Sequence, residues 1–306
     1  MSLHPTIALA LQAAAGAKPY HDLPIEEARA TARKGYMRSS PAVAVGHVQD
    51  LKWPGPQGLT AVRIYTPPSP GPHAALVFFH GSGFVMLDLD THDDICRRLC
   101  VLSHRVVVSV DYRLAPEHPF PAAPEDCLAA TFQVLAQATK LDIDANRIAL
   151  AGDSAGACLA AVTAWQLSQS HPNFVEALLM FYPVTDAPNP HRISYQKFGQ
   201  GFGLSVDGMQ WFWQQYMRQQ HDHQHPHAAP LQAPSLLGMP RTCIVTAGHD
   251  VLRDEGHAYA ERLEQAGVEV NYVCCDSLNH GFLKYAGQLR EVDDTLNLAT
   301  RWLSHD

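Results

Sequence analysis

The sequence predicts an α/β protein, a mostly parallel sheet flanked by helices and carrying a helical appendage. Short apolar runs at residues 75–79, 105–110, 147–151, 177–182, 242–247 and 268–274 alternate with helix-patterned stretches at 93–102, 124–138, 155–169, 255–266 and 288–303. Runs apolar on both faces belong to strands covered by helices on both sides. Two segments break this rhythm: the first forty or so residues, Ala-rich and helical in pattern, and a stretch from about 185 to 227 between two core strands. A connection that long inside a compact domain usually has a job, often as a lid. The chain therefore divides into residues 1–40 and 185–227, two parts of a helical cap, and residues 41–184 and 228–306, two halves of one core.

Taken in order, residues 43–67 read as two strands joined by the turn-rich Pro54-Gly55-Pro56-Gln57-Gly58, an antiparallel start to the sheet. In the insertion, Ser205 begins a helix that crowds Met209, Trp211, Phe212, Trp213, Tyr216 and Met217 into three turns. That helix needs something to cover, either core or substrate pocket. The tract His221, His223, His225 and His227 invites a metal reading, but it has no Cys partner, contains Pro226 and lies in a polar stretch, which favours a solvated linker.

With 306 residues, 46% hydrophobic and 17% charged, the chain has ample material for a large core. A net charge of −8 without a long basic run argues against a nucleic-acid partner. Seven scattered cysteines set among apolar neighbours read as buried free thiols in a reducing, cytoplasmic setting. The apolar run 7–17 is interrupted by Gln12 and has no preceding Lys or Arg, so it reads as an amphipathic helix instead of a signal peptide. No uninterrupted apolar run approaches the roughly 18 residues of a membrane span. The strand at 268–274, if it is an edge, offers a surface for a homodimer.

The chemistry concentrates in Arg147-Ile148-Ala149-Leu150-Ala151-Gly152-Asp153-Ser154-Ala155-Gly156, an apolar strand running into GxSxG and then a helix of small residues. A sharp strand-to-helix turn exposes a serine hydroxyl, and small residues are needed where backbones nearly touch. A serine hydroxyl is a weak nucleophile at neutral pH, so a base must take its proton and an acid must orient that base. The order Ser, acid, His is expected on such a sheet. Asp250 directly follows a predicted strand; its competitors Asp254 and Glu255 suit the next helix's first turn, and Asp276 shares a loop with the histidine. Among 18 histidines, His280 lies beyond the last predicted strand, whereas His257 is in a helix, His249 sits beside the acid and His305 is at the chain end. After the strand at 75–79 comes His80-Gly81-Ser82-Gly83-Phe84, a glycine-rich loop suited to an oxyanion hole. It lacks the GK[ST] ending of a phosphate loop and the spacing of a dinucleotide fingerprint.

HGSGF, Asp111-Tyr112-Arg113-Leu114-Ala115-Pro116-Glu117-His118-Pro119, GDSAG, Asp250 with Leu252-Arg253-Asp254-Glu255-Gly256, and His280-Gly281-Phe282 together closely resemble the hormone-sensitive-lipase-like (family IV) bacterial esterases. The resemblance implies an eight-stranded α/β-hydrolase core with a helical cap, hydrolysis of short-to-medium acyl esters, and no metal or organic cofactor. It implies Ser154, Asp250 and His280 as catalytic residues and the N–H groups of Ser82, Gly83 and Ala155 as oxyanion donors, with His80 supporting the loop. Two positions depart from the pattern: Ser82 stands for the middle glycine of HGGG, and Val251 for the Pro that often follows the acid.

The expected substrate is a small-molecule ester, with Phe84, Tyr182, Trp211, Phe212 and Phe282 as candidate pocket walls that could equally be core. Amides, lactones and carbamates would use the same machinery. A non-catalytic receptor on this fold should lack a member of the triad, and here all three are present.

Overall fold

The computed structural model describes residues 2–37, 42–81, 83–218 and 223–304. One eight-stranded sheet, ordered β1-β2-β4-β3-β5-β6-β7-β8, runs through the described residues. Its strands are β1 (His47–Gly55), β2 (Gly58–Thr66), β3 (His73–Phe79), β4 (Val106–Asp111), β5 (Ile143–Asp153), β6 (Ala177–Phe181), β7 (Arg241–His249) and β8 (Val270–Asn279). The β1–β2 and β2–β4 pairs are antiparallel and all the others parallel.

Alternation along the strands sorts the core into two layers. Val62, Ile64, Val77, Phe79, Val108, Leu150 and Ile244 face α4 (Ala122–Ala136), α5 (Ala155–Ser170) and α8 (Arg253–Gln265), which contribute Val134, Leu159 and Leu263. Leu76, Phe78, Val107, Ala149, Leu179 and Val245 face α3 (Asp93–Ser103) and α9 (Arg290–Ser304), which contribute Leu99 and Leu296. Burial on both faces is what the continuous apolar runs require.

The edge strand β8 runs five residues past its predicted end at 274. In this extension Cys275, Leu278 and Asn279 are buried while Asp276 is exposed, so the polar Asp276 and Ser277 interrupt the apolar run and had hidden a strand. Its pairing with β7 is irregular: Ala247 pairs with Cys275, but His249 pairs with Asn279 instead of Ser277. The displaced register carries the residue after Asn279 to the end of the sheet.

Beyond the sheet and its flanking helices lie α1 (Pro5–Ala13), α2 (Ile25–Tyr36), α6 (Ile193–Phe198) and α7 (Val206–Tyr216), which add Ile7, Ala28, Tyr195, Phe212 and Trp213 to the buried clusters. As the sequence predicts, Ser205 caps α7, its Oγ accepting the Gly208 N–H at 3.0 Å. Sequence periodicity did not reveal α6, which is under two turns long. The histidine tract departs from a solvated linker. His223 and His227 are half-buried, with rings 5.4 Å from Trp213 and 5.6 Å from Trp165, while His221 lies outside the described residues. All seven cysteines are free, and six are buried.

Glu255, in the first turn of α8, anchors the start of the long insertion. One carboxylate oxygen accepts the N–H groups of Thr185 at 3.0 Å and Asp186 at 3.4 Å, and the other accepts the Tyr195 hydroxyl of α6 at 3.3 Å. Burial pushes this carboxyl up to about 8, outweighing the backbone N–H donors that favour its charged form. Because the folded state holds this proton more tightly than the unfolded chain, the stabilisation is complete below about pH 4.5 and is lost as pH rises through about 8. Glu255→Gln removes that titration. Melting temperatures followed from about pH 5 to about pH 8 should therefore fall more steeply for the wild type than for the variant; parallel curves would contradict the assignment.

Candidate active site

The parallel register brings the candidate residues to one edge. Phe79 of β3 pairs with Gly152 of β5, so the loop from His80 emerges beside Asp153 and Ser154. His249 of β7 pairs with Asn279 of β8, so Asp250 and His280 leave neighbouring strands side by side. The carboxyl ends of parallel strands are where such sheets place their sites.

Ser154 sits at the turn between β5 and α5 with φ 54° and ψ −121°. Its N–H donates to the Phe181 carbonyl at 2.9 Å, and its own carbonyl accepts from Cys158 and Val184, both at 3.2 Å. The flanking glycines are required by contact: a Cβ on Gly152 would strike the Gly156 backbone, and one on Gly156 would strike the Phe79 carbonyl.

Ser154 Oγ lies 2.9 Å from His280 Nε2, and His280 Nδ1 lies 2.7 Å from Asp250 Oδ2. A carboxylate only accepts, so Nδ1 carries the proton and Nε2 is left to accept from the serine hydroxyl. Asp250 is 2% exposed, and its Oδ1 accepts the Leu252 N–H at 3.0 Å. The competing carboxylates are occupied elsewhere. Asp254 accepts the Ser194 N–H at 2.8 Å and pairs with Arg253, Glu255 holds the insertion, and Asp276 is exposed.

Of the expected oxyanion donors, Ala155 opens α5, where a backbone N–H has no intrahelical acceptor. Gly83 has φ +58°, and a Cβ there would enter the ring of Phe212, so α7 lies directly on this loop. Ser82 lies outside the described residues. His80 is fully buried, stacks on Tyr112 at 4.5 Å and is pushed down to about 3 by burial, which keeps it neutral.

The candidate wall residues divide. Tyr182 meets the His280 ring edge-on at 4.9 Å, and Phe212 covers Gly83. Phe282 is wholly buried against Tyr182 at 4.8 Å, Phe84 stacks on Tyr216 at 3.9 Å, and Trp211 packs against Phe212 at 5.1 Å. Among the described residues, no group of three or more His, Cys, Asp or Glu is arranged to hold a metal, and no helix is long and apolar enough to cross a membrane.

The chain is similar to known ester hydrolases. A family profile described as alpha/beta hydrolase fold matches residues 76–284. An ethyl acetate hydrolase of Pseudomonas putida is 36% identical over 308 residues, covering 97% of this chain and 96% of that protein. A hyperthermophilic esterase from the archaeon Pyrobaculum calidifontis superposes with a TM-score of 0.94 at 36% identity, covering 100% of this chain and 99% of that one. An ester hydrolase from the metagenome of Lake Arreo in Spain, solved with a bipyridine phosphonate derivative, gives 0.92 at 34% identity, covering 99% and 98%.

Sequence reasoning passed over Asp153, although it stands inside GDSAG. Its Oδ1 accepts the Gly81 N–H at 2.7 Å and lies 3.3 Å from His92 Nε2, while its Oδ2 accepts the Tyr182 hydroxyl at 3.2 Å. Burial opposes its charge, but the His92 imidazole and the Gly81 N–H outweigh that and hold its carboxyl below the usual range. Asp153 thus ties the glycine-rich loop to the serine turn. The available signal was an acid in an otherwise apolar strand end. Asp153→Ala, which strands those donors, should lower kcat/KM by about ten- to a hundredfold, and Asp153→Asn, which keeps an acceptor, should recover most of it. Steady-state kinetics alongside melting curves decide this; equal losses in the two variants would refute a role as acceptor.

Proposed function

The chain belongs to the α/β-hydrolase-fold family, in its hormone-sensitive-lipase-like branch, and from that premise we propose that it is a serine carboxylester hydrolase acting on short-to-medium-chain acyl esters. The observation that carries the reading is the continuous hydrogen-bonded series from Ser154 Oγ through both nitrogens of His280 to Asp250. The phosphonate complex of the Lake Arreo relative is in keeping with a serine nucleophile.

In the first half-reaction His280 Nε2 takes the Ser154 proton as Oγ attacks the ester carbonyl carbon. The carbonyl oxygen becomes an oxyanion, met by the N–H groups of Ala155 and Gly83 and by the positive end of α5. The imidazolium that forms is stabilised by Asp250. As the tetrahedral intermediate collapses, the bond to the alcohol oxygen breaks and His280 gives that oxygen its proton, leaving an acyl-serine. Water then enters by the same route: His280 deprotonates it, it attacks the acyl carbon, and Ser154 Oγ leaves with the proton.

Residues 1–40 and 185–227 are read as the two parts of a cap over this centre. Three contacts support that: Phe212 of α7 covers Gly83, a Cβ on Gly281 would lie 2.9 Å from the Tyr36 hydroxyl of α2, and the Phe202 carbonyl accepts from Asn279. The ring of Phe212 lies against Gly83 of the oxyanion loop, and a bulky ring at that position favours short acyl groups.

Ser154→Ala should lower kcat on a p-nitrophenyl ester by at least about ten thousandfold and abolish burst release of p-nitrophenol. Wild-type turnover in that variant would sink the mechanism. Across a p-nitrophenyl series from acetate to palmitate, kcat/KM should peak among the shorter chains; a maximum at palmitate would overturn the acyl preference. Amides, lactones and carbamates run beside the esters would expose a different preferred leaving group.

A further inference from the structure

Asn279, the residue before His280, turns its side chain to the long insertion. It is 2% exposed, and its Nδ2 donates to the Phe202 carbonyl at 2.8 Å. Its Oδ1 is buried with no hydrogen-bond partner among the described residues. An amide whose only task is to fill space is costly when half unsatisfied, since an apolar side chain of that volume would pack without the desolvation penalty.

The next residue along the insertion confirms a tight fit. Gly203 has φ +104°, and a Cβ there would stand 3.1 Å from Asn279 Nδ2 and 3.8 Å from Leu11 of α1. The same segment also reaches the acid's strand. The Phe202 ring stacks on His249 at 5.4 Å, and Phe198 meets His249 at 5.3 Å. His249 and Asn279 are the paired residues that end β7 and β8. Residues 198–203 therefore grip both positions that immediately precede the acid and the base.

We propose that Asn279 is a positioning residue, which makes the placement of the His280 imidazole depend on the seating of residues 198–203. The inference rests on His280 being the general base. His280 follows an irregular strand pairing and precedes Gly281 at φ +73°, so the regular register of the strand does not by itself set its place. Its ring must meet Asp250 and Ser154 at once, and a displacement of about 1 Å at such a centre can cost about a hundredfold in rate. The Asn279 hydrogen bond supplies the missing restraint from the insertion.

Four variants test this: Asn279→Leu, Asn279→Gln, Gly203→Ala, and Asn279→Leu combined with Gly203→Ala. Asn279→Leu should lower kcat by about ten- to a hundredfold while KM stays within about twofold. Asn279→Gln, which keeps a donor, should recover part of kcat. Gly203→Ala should act from the other side, and the double variant should be no worse than the worse single, as expected when two changes break one link. A rise in KM with kcat intact, a kcat loss that Asn279→Gln leaves unrelieved, or losses that multiply in the double variant would each overturn the proposal. Organophosphonate labelling separates it from the triad assignment. Slow but stoichiometric labelling of Ser154 in Asn279→Leu leaves the triad intact, whereas full activity in His280→Ala would remove the premise.

Discussion

The backbone of Ser154, at φ 54° and ψ −121°, is where the architecture converges. A side-chain-bearing residue held outside the favoured regions costs about 1–3 kcal/mol and persists only where its surroundings over-determine it. Here the turn is held by the Phe181 carbonyl on one side, and by Cys158 and Val184 on the other. It is admitted by two glycines whose neighbours leave no room for a Cβ. The small residues of α5, buried from Ala155 through Ala161, let the helix lie close enough to the sheet for this to happen. The turn aims the Ser154 hydroxyl at His280 Nε2, 2.9 Å away.

Three buried carboxylates lie near that turn, and their surroundings give them different tasks. Asp250 accepts from His280 and from a backbone N–H, in the manner of an orienting acid. Asp153 is held ionised against its burial by His92 and the Gly81 N–H, and its two oxygens join the glycine-rich loop to Tyr182. Glu255, facing mostly uncharged groups, is pushed the other way, and it fastens the insertion to α8. Burial alone would raise both Asp153 and Glu255; the groups around each decide the outcome.

How much was legible in the sequence follows from the range of the interactions involved. The GxSxG turn reads from a dozen contiguous residues because its requirements, an apolar strand, small flanking residues and a helix start, are local. The predicted strands match because burial on both faces leaves continuous apolar runs. The end of β8 was hidden by the polar residues of an edge strand, and α6 was too short to show a helical period. The roles of Asp153, Glu255 and Asn279 were hidden for another reason. Each acts on a partner between about 70 and 77 residues away, and nothing in a linear pattern marks such a pairing.

By itself the sequence determined the α/β class and the glycine-flanked serine turn, because these depend on periodicity and on residue size at adjacent positions. Which carboxylate meets His280 was decided only in three dimensions. Asp250, Asp254, Glu255 and Asp276 are all close to one another or to the histidine along the chain, and the displaced register of β8 on β7 puts Asp250 alone at 2.7 Å from Nδ1. The fit of α7 over Gly83 and of residues 198–203 against the ends of β7 and β8 was likewise a matter of packing between distant segments. Such contacts depend on the shapes of two surfaces brought together by the whole fold, and a one-dimensional pattern carries no record of them.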